Sequence, residues 1–258
     1  MRSVLRLLAA AVVTAAALLA VPSWASAASS PTPAATTVDG DVYAAVSEPD
    51  GTTSVTVYRP APGVTSDKLR SHLSAAGVAG VQSPSTAPQT GLACSYGSAR
   101  TLTCQPDLWA RNGYGHPPVY FLDHTSAAWP ITNVVPEWNL AHGVDSWYRW
   151  FTNGCPGGGR HCVNVYNRNY GSTGWTGLTH FRATSSQYFV DGSVYSELND
   201  YYGGTAAEHR NTACHELGHT LGLGHATSTS SCMYYVRTSQ QLPSSADFHL
   251  LHQIYPFS

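Results

Sequence analysis

Three histidines, a glutamate and a glycine at the spacing H-E-x-x-H-x-x-G-x-x-H constrain this chain more than anything else in it: His215-Glu216-Leu217-Gly218-His219-Thr220-Leu221-Gly222-Leu223-Gly224-His225. On an α-helix His215 and His219 stand one turn apart on the same face, so both rings can reach one ion. Glu216 lies one position round from His215, beside that ion. His225 would be about 15 Å further along the axis if the helix ran on, so the chain must turn back after His219. Gly222 is where it can do so, because glycine takes a left-handed C-terminal position without a Cβ penalty. Three neutral imidazoles bind Zn2+ and leave one position for water, whose proton Glu216 is placed to take and hand to a leaving amine. A purely structural zinc site closes with a fourth protein ligand and has no use for the glutamate.

The helix carrying this motif has a legible start. Thr205-Ala206-Ala207-Glu208 fits a capping box, which predicts a helix from Ala206 to Leu221. Thr65-Ser66-Asp67 caps a short helix over Lys68 to Ala76 that Gly77 ends, and Pro243 to Asp247 opens a last helix with Phe248, Leu251 and Ile254 on one face. Alternating or apolar runs predict strands at Thr53–Tyr58, Val119–Leu122, Val163–Tyr166, Gly177–Phe181 and from Tyr188 to Leu198. An extended edge strand is expected within the last two, where a peptide substrate can be held as an added strand. The apolar and aromatic spacing from Val134 to Trp150 predicts one helix packed on the sheet, with Pro136 and Gly143 against it.

At the N-terminus Arg2 and Arg6 precede an apolar segment, Leu7 to Val21, and then Ala25-Ser26-Ala27. This pattern predicts a secretory signal peptide over residues 1–27, its apolar core being shorter than a spanning helix needs. Residues 28–93 read as a linker with a small N-terminal unit, about Val38 to Val81, which is either a propeptide covering the cleft or an accessory that stays attached. Residues 94–258 form the main body. In an exported chain, six cysteines suggest three disulfides. They permit fifteen pairings, of which the sequential one is simplest: Cys94 with Cys104, Cys155 with Cys162, Cys214 with Cys232. With one lysine, Lys68, and a formal charge of -2, the chain has no basic stripe for nucleic acid and no cationic helix for a membrane surface. A secreted monomer acting on a protein or peptide substrate is expected. Asp191, Asn199 and Asp200 are candidates for Ca2+, but they equally resemble ordinary turn residues and no calcium site is assigned.

Ser231-Cys232-Met233-Tyr234-Tyr235, whose methionine stands eight residues after His225, resembles the methionine turn of the metzincin zinc endopeptidases. The Gly-His-Thr-Leu-Gly-Leu-Gly-His wording and the closing helix are most similar to the matrixins. The resemblance implies an α+β fold of zincin type, with a twisted, mixed five-stranded sheet packed on long helices and a small C-terminal subdomain after the zinc helix. It further implies His215, His219 and His225 as zinc ligands, Glu216 as general base and acid, and Met233 as the residue under the metal. Tyr235 matches the tyrosine that follows the methionine in astacin-like and serralysin-like enzymes, which makes it a candidate for stabilising the oxyanion. Ala226 departs from the residues those subfamilies carry after the third histidine. No matrixin-like cysteine switch is recognisable, because Cys94 follows Gly-Leu-Ala and has Cys104 as its expected partner. The reading is a secreted zinc endopeptidase. Its alternatives are a secreted, non-catalytic zinc-containing binding or inhibitory protein and a zinc amidase acting on cell-wall peptides.

Overall fold

The computed structural model describes residues 40–83, 102 and 105–256. The expected signal peptide, most of the linker, and Cys94 and Cys104 lie outside them.

A seven-stranded mixed sheet runs in the order β1-β2-β6-β7-β5-β3-β4. Its strands are β1 (Val42–Ser47), β2 (Thr53–Pro60), β3 (Pro118–Asp123), β4 (Asp145–Trp150), β5 (His161–Arg168), β6 (Trp175–Ala183) and β7 (Tyr195–Asn199). From β4 through β3 and β5 to β7 the pairing is parallel; β6 then joins antiparallel, and β2 and β1 extend the sheet antiparallel beyond it. The sheet has seven strands where five were expected. A hairpin from the N-terminal unit, β1 and β2, lies along β6, so neither β6 nor β7 is the edge strand expected within Gly177–Phe181 and Tyr188–Leu198.

The helices are α1 (Ser66–Ala75), α2 (Ile131–Trp138), α3 (Ala206–Thr220) and α4 (Ser245–Ile254). On one face of the sheet, α2, α3 and α4 close a core that includes Val57, Phe121, Trp138, Phe181, Leu217 and Leu251. On the opposite face, α1 lays Leu69 and Leu73 against Val42, Trp175 and Leu178. A fully buried aliphatic side chain contributes about 1.5–3 kcal/mol, so Val55, Val57, Leu69 and Leu73 hold the N-terminal unit firmly on β6.

Three elements differ from the sequence reading: β1 was not expected, the strand expected from Tyr188 begins only at Tyr195, and one helix is cut short. The helix expected over Val134 to Trp150 ends at Trp138, and the chain re-forms as strand β4. Gly143, five residues on, bars the helix from resuming: it has φ +116°, and a Cβ there would stand 2.8 Å from the Tyr255 carbonyl oxygen and 2.9 Å from that of Leu251. Trp147 and Trp150 mimic a helical i, i+3 stripe, but they are exposed on the outermost strand. Among the described helices, α3 at 15 residues is the one that fits the expectation of long helices.

Candidate metal centre and active site

Helix α3 starts as its sequence dictates. The Thr205 hydroxyl accepts from the Glu208 N–H, and the Glu208 carboxylate accepts in return from the Thr205 N–H at 2.7 Å. The helix ends at Gly222, which has φ +93° and packs so closely that a Cβ would lie 2.4 Å from the Asp107 carbonyl oxygen. The last carbonyls are taken by side chains from elsewhere: Trp109 Nε1 donates to Thr220 O at 2.9 Å, and the Tyr255 hydroxyl donates to Leu221 O at 3.0 Å. This fixed end brings His225 back to the helix, where its ring stacks 5.3 Å from that of His215.

His215 Nδ1 lies 2.9 Å from the Cys232 carbonyl oxygen, and His219 Nδ1 lies 2.8 Å from that of Leu223. Each Nδ1 must therefore carry the proton and donate, which leaves both Nε2 atoms as bare lone pairs. Those atoms are only 3.1 Å apart. Asp41, just ahead of β1, brings a carboxylate oxygen into the same space: its Oδ2 is 3.0 Å from His215 Nε2, 3.2 Å from His219 Nε2 and 2.8 Å from His225 Nε2. Burial pushes the His215 imidazolium well below its ordinary pKa, aided by the Arg59 charge, and burial lowers His219 as well. A carboxylate and neutral imidazoles turning lone pairs toward each other in a buried space repel unless a cation lies among them. The spacing fits one: four donors about 2.0 Å from a tetrahedral zinc ion lie about 3.3 Å from each other. Among the described residues, Asp41, His215, His219 and His225 form a group able to hold a metal ion.

Glu216 is fully buried beside this group. Thr179 Oγ1, on β6, lies 2.9 Å both from Glu216 Oε2 and from its backbone oxygen, while Oε1 has no hydrogen-bond partner. Gly177, two residues earlier, leaves the room that carboxylate occupies, since a Cβ there would stand 2.7 Å from Oε1. Burial, reinforced by the Asp41 charge, pushes the Glu216 carboxyl well above its ordinary pKa. A second ion is close by. Arg59 of β2 is fully buried, with Nη1 3.4 Å from Asn211 O and Nη2 3.4 Å from Tyr234 O. Burial lowers its pKa to about 10 against the pull of the Asp41 and Glu216 charges.

Met233 lies directly under α3. A Cβ on Gly218 would stand 2.3 Å from Met233 Sδ and 2.8 Å from Trp138 Cζ2, so the glycine inside the motif is a condition of this contact. The turn is pinned on three sides. Cys232 is disulfide-bonded to Cys214, Ala226 N donates to Met233 O at 2.8 Å, and the Ser231 hydroxyl receives Met233 N–H at 2.9 Å while donating to Asp247 Oδ2 at 2.6 Å.

Residues 159–256 match the matrixin family model, Peptidase_M10. The matched stretch runs from β5 to α4 and holds the three histidines, Glu216 and Met233. A mixed α+β fold with this sheet and four helices fits a matrixin-like protein, and the match supports a zinc metalloprotease. The hairpin that supplies Asp41 and Arg59 lies outside the matrixin-like stretch. No curated protein matches the chain.

Of the remaining sequence candidates, Cys155–Cys162 and Cys214–Cys232 are both formed. The Tyr235 hydroxyl receives that of Tyr234 at 3.0 Å, and Tyr235 lines a cavity of about 330 Å³ together with Pro60, Val64, Glu208 and Arg237. The three calcium candidates have separate partners: Asp191 Oδ1 meets His161 Nδ1 at 2.7 Å, Asp200 Oδ1 accepts from Trp129 Nε1 at 2.7 Å, and Asn199 Nδ2 donates to Thr173 Oγ1 at 2.9 Å. Sequence reasoning missed Asp41, Arg59 and Thr179. An aspartate, an arginine and a threonine on strands carry no spacing signature, and Asp41 is 174 residues away from His215.

Proposed function

We propose that this chain is a secreted zinc endopeptidase in which His215, His219 and His225 hold the metal and Glu216 is the general base and acid. The observation that carries the reading is the juxtaposition of a converging imidazole cluster with a buried carboxylate that has one oxygen free. Zinc, when bound, acidifies water and polarises the carbonyl of the scissile bond. The protein supplies the remainder. Both anchored Nδ1 atoms fix their rings with Nε2 toward the metal, and Thr179 holds Glu216 Oε2, leaving Oε1 to take a proton from water and deliver it to the leaving amine. Tyr235, beyond the methionine turn, is the candidate for the oxyanion. Such an enzyme acts on protein or peptide substrates as a monomer outside the cell. Two disulfides, and the lack among the described residues of any helix long and apolar enough to cross a membrane, support that setting.

Asp41 favours a second reading, a closed four-ligand site with a structural role. Glu216 argues against it: leaving a buried carboxylate oxygen unpaired costs about 1–3 kcal/mol or more, which a purely structural site has no reason to bear. The deciding experiment compares wild-type chain with Glu216→Gln, each activated and loaded with zinc. The variant is expected to keep stoichiometric zinc and lose at least about 99% of peptide hydrolysis, in line with the weight of general-base catalysis. Chelator-insensitive cleavage, or near-normal turnover in the variant, refutes the assignment.

A further inference from the structure

We infer that the N-terminal hairpin is a built-in inhibitor of this site, with Asp41 taking the metal position that water needs and β2 taking the place of a substrate strand. The inference rests on the endopeptidase reading above, and two independent observations carry it.

The first is the donor set. Three histidines suffice to hold a catalytic zinc, and the fourth position belongs to water or substrate. Asp41 Oδ2 lies within 3.2 Å of all three Nε2 atoms and is itself fully shielded from solvent. A carboxylate so placed leaves water no access to the fourth position.

The second is the sheet. Without the hairpin, β6 would be paired only with β7 and its other side would be open to an added peptide strand. β2 occupies that side, with Val57 opposite Thr179 and Arg59 opposite Gly177. These are the β6 residues that touch Glu216. The end of β2 also meets the methionine-turn segment, where Arg59 reaches Tyr234 O and Pro60 shares a cavity with Tyr235. The chain's own backbone thus lies where a peptide bond would be presented to the base. The strand pairing also explains how Asp41 arrives: Val42 is paired with Tyr58, so Asp41 and Arg59 are the next residues along the two strands. Asp41 shares its face of β1 with Tyr43 and Ala45, which pack on the core beneath α3. Removing the hairpin would withdraw Asp41 and Arg59 together and uncover the β6 edge.

The test uses the full chain, loaded with zinc or with cobalt, as wild type, Asp41→Asn and Asp41→Ala. Acetohydroxamate is titrated against the visible spectrum of the cobalt protein, and peptide hydrolysis is measured on the zinc protein. Both variants should gain hydroxamate affinity by more than about tenfold, the factor by which a closed state populated above about 90% masks a site, whereas the gain in hydrolysis, which also needs β2 off β6, should be full only in chain cut between residues 84 and 101. Wild type that binds hydroxamate and cleaves peptide as well as the variants overturns the inference, and so do variants that lose the metal and gain neither. Variants that gain hydroxamate affinity while no form, including chain cut at a protease site inserted between residues 84 and 101, cleaves peptide would uphold the inference and sink the endopeptidase reading. A last arm needs no substitution. In wild type, saturating hydroxamate should speed backbone hydrogen exchange across Thr53–Pro60, because two ligands of one site exclude each other reciprocally. Hydroxamate that binds without changing this protection overturns the inference.

Discussion

Gly218→Ala sets two effects of known size against each other. In an isolated helix the change stabilises by about 1 kcal/mol, because glycine loses more backbone freedom on folding. In α3 the added methyl would stand 2.3 Å from Met233 Sδ, 3.0 Å from Met233 Cε and 2.8 Å from Trp138 Cζ2. Neither neighbour can withdraw easily. Both side chains are completely buried, Trp138 Nε1 is bonded to Cys214 O at 3.2 Å, and Met233 sits on a turn tied to α3 by a disulfide. Overpacking of this kind costs typically about 1–3 kcal/mol and sometimes more; against two fixed neighbours the upper half of that range applies, so the clash outweighs the propensity gain and a net loss of about 1–2 kcal/mol is expected. Urea unfolding of the zinc-loaded, disulfide-intact chain measures it, together with Met233→Ala and the double variant. If the methyl and the methionine compete for one space, the double variant will be more stable than the two single losses predict, by at least about 1 kcal/mol. A Gly218→Ala chain as stable as wild type, or strictly additive losses, would refute the packing argument.

Thr179→Val keeps the shape of a strand residue but removes the donor that orients Glu216; on activated enzyme, kcat should fall about 10- to 100-fold with KM nearly unchanged, whereas a KM effect alone would reject the positioning role. Replacing Cys214 and Cys232 by alanine opens a link between residues 18 apart in sequence; by loop entropy it should cost about 3 kcal/mol in a thermal or urea transition, and an unchanged midpoint would contradict it. Asp50, in the β1–β2 turn, is exposed, yet bonds from the Thr52 hydroxyl and from Arg182 on β6 lower its pKa to about 2. The folded value is depressed, so its contribution is present above the ordinary 3.8 and is lost as pH falls through about 2. Carboxyl NMR should find that low value in wild type and a higher one in Arg182→Ala; equal titrations would remove the Asp50–Arg182 contact as a tie between hairpin and sheet.

Much of the site could be read because its chemistry needs fixed spacing. The capping box at Thr205 and Glu208, the break at Gly222 and the cysteines flanking His215 and Met233 all act over short sequence distances, and the structure forms each of them. The helix expected across Val134 to Trp150 failed for a different reason. Two exposed tryptophans supplied a helical period that burial does not support, while the contact that bars the helix from resuming, Gly143 against the carbonyls of Leu251 and Tyr255, comes from the other end of the chain. β1 was missed because Val42-Tyr43-Ala44-Ala45-Val46 does not alternate: both faces of the hairpin meet apolar layers, so the polar half of the pattern is absent.

The same logic explains why α3 was found by its chemistry and not by its amphipathicity. Ten consecutive residues, Asn211 to Thr220, are buried, polar and apolar alike. A helix enclosed on all sides shows no hydrophobic stripe. Its polar groups then need partners from other elements: Thr179 from β6 for Glu216, Cys232 O for His215, Trp138 for Cys214 O, and Asp41 facing the imidazoles. The methionine turn and β6 stay beside α3 whether or not the hairpin is present, so they can belong to a working site. Asp41 and Arg59 arrive on a hairpin whose other contacts are apolar packing, strand pairing and side-chain bonds of Asp50, Thr52 and Thr56 to β6. They are therefore the site's only partners among these that the protein could remove without dismantling the helix.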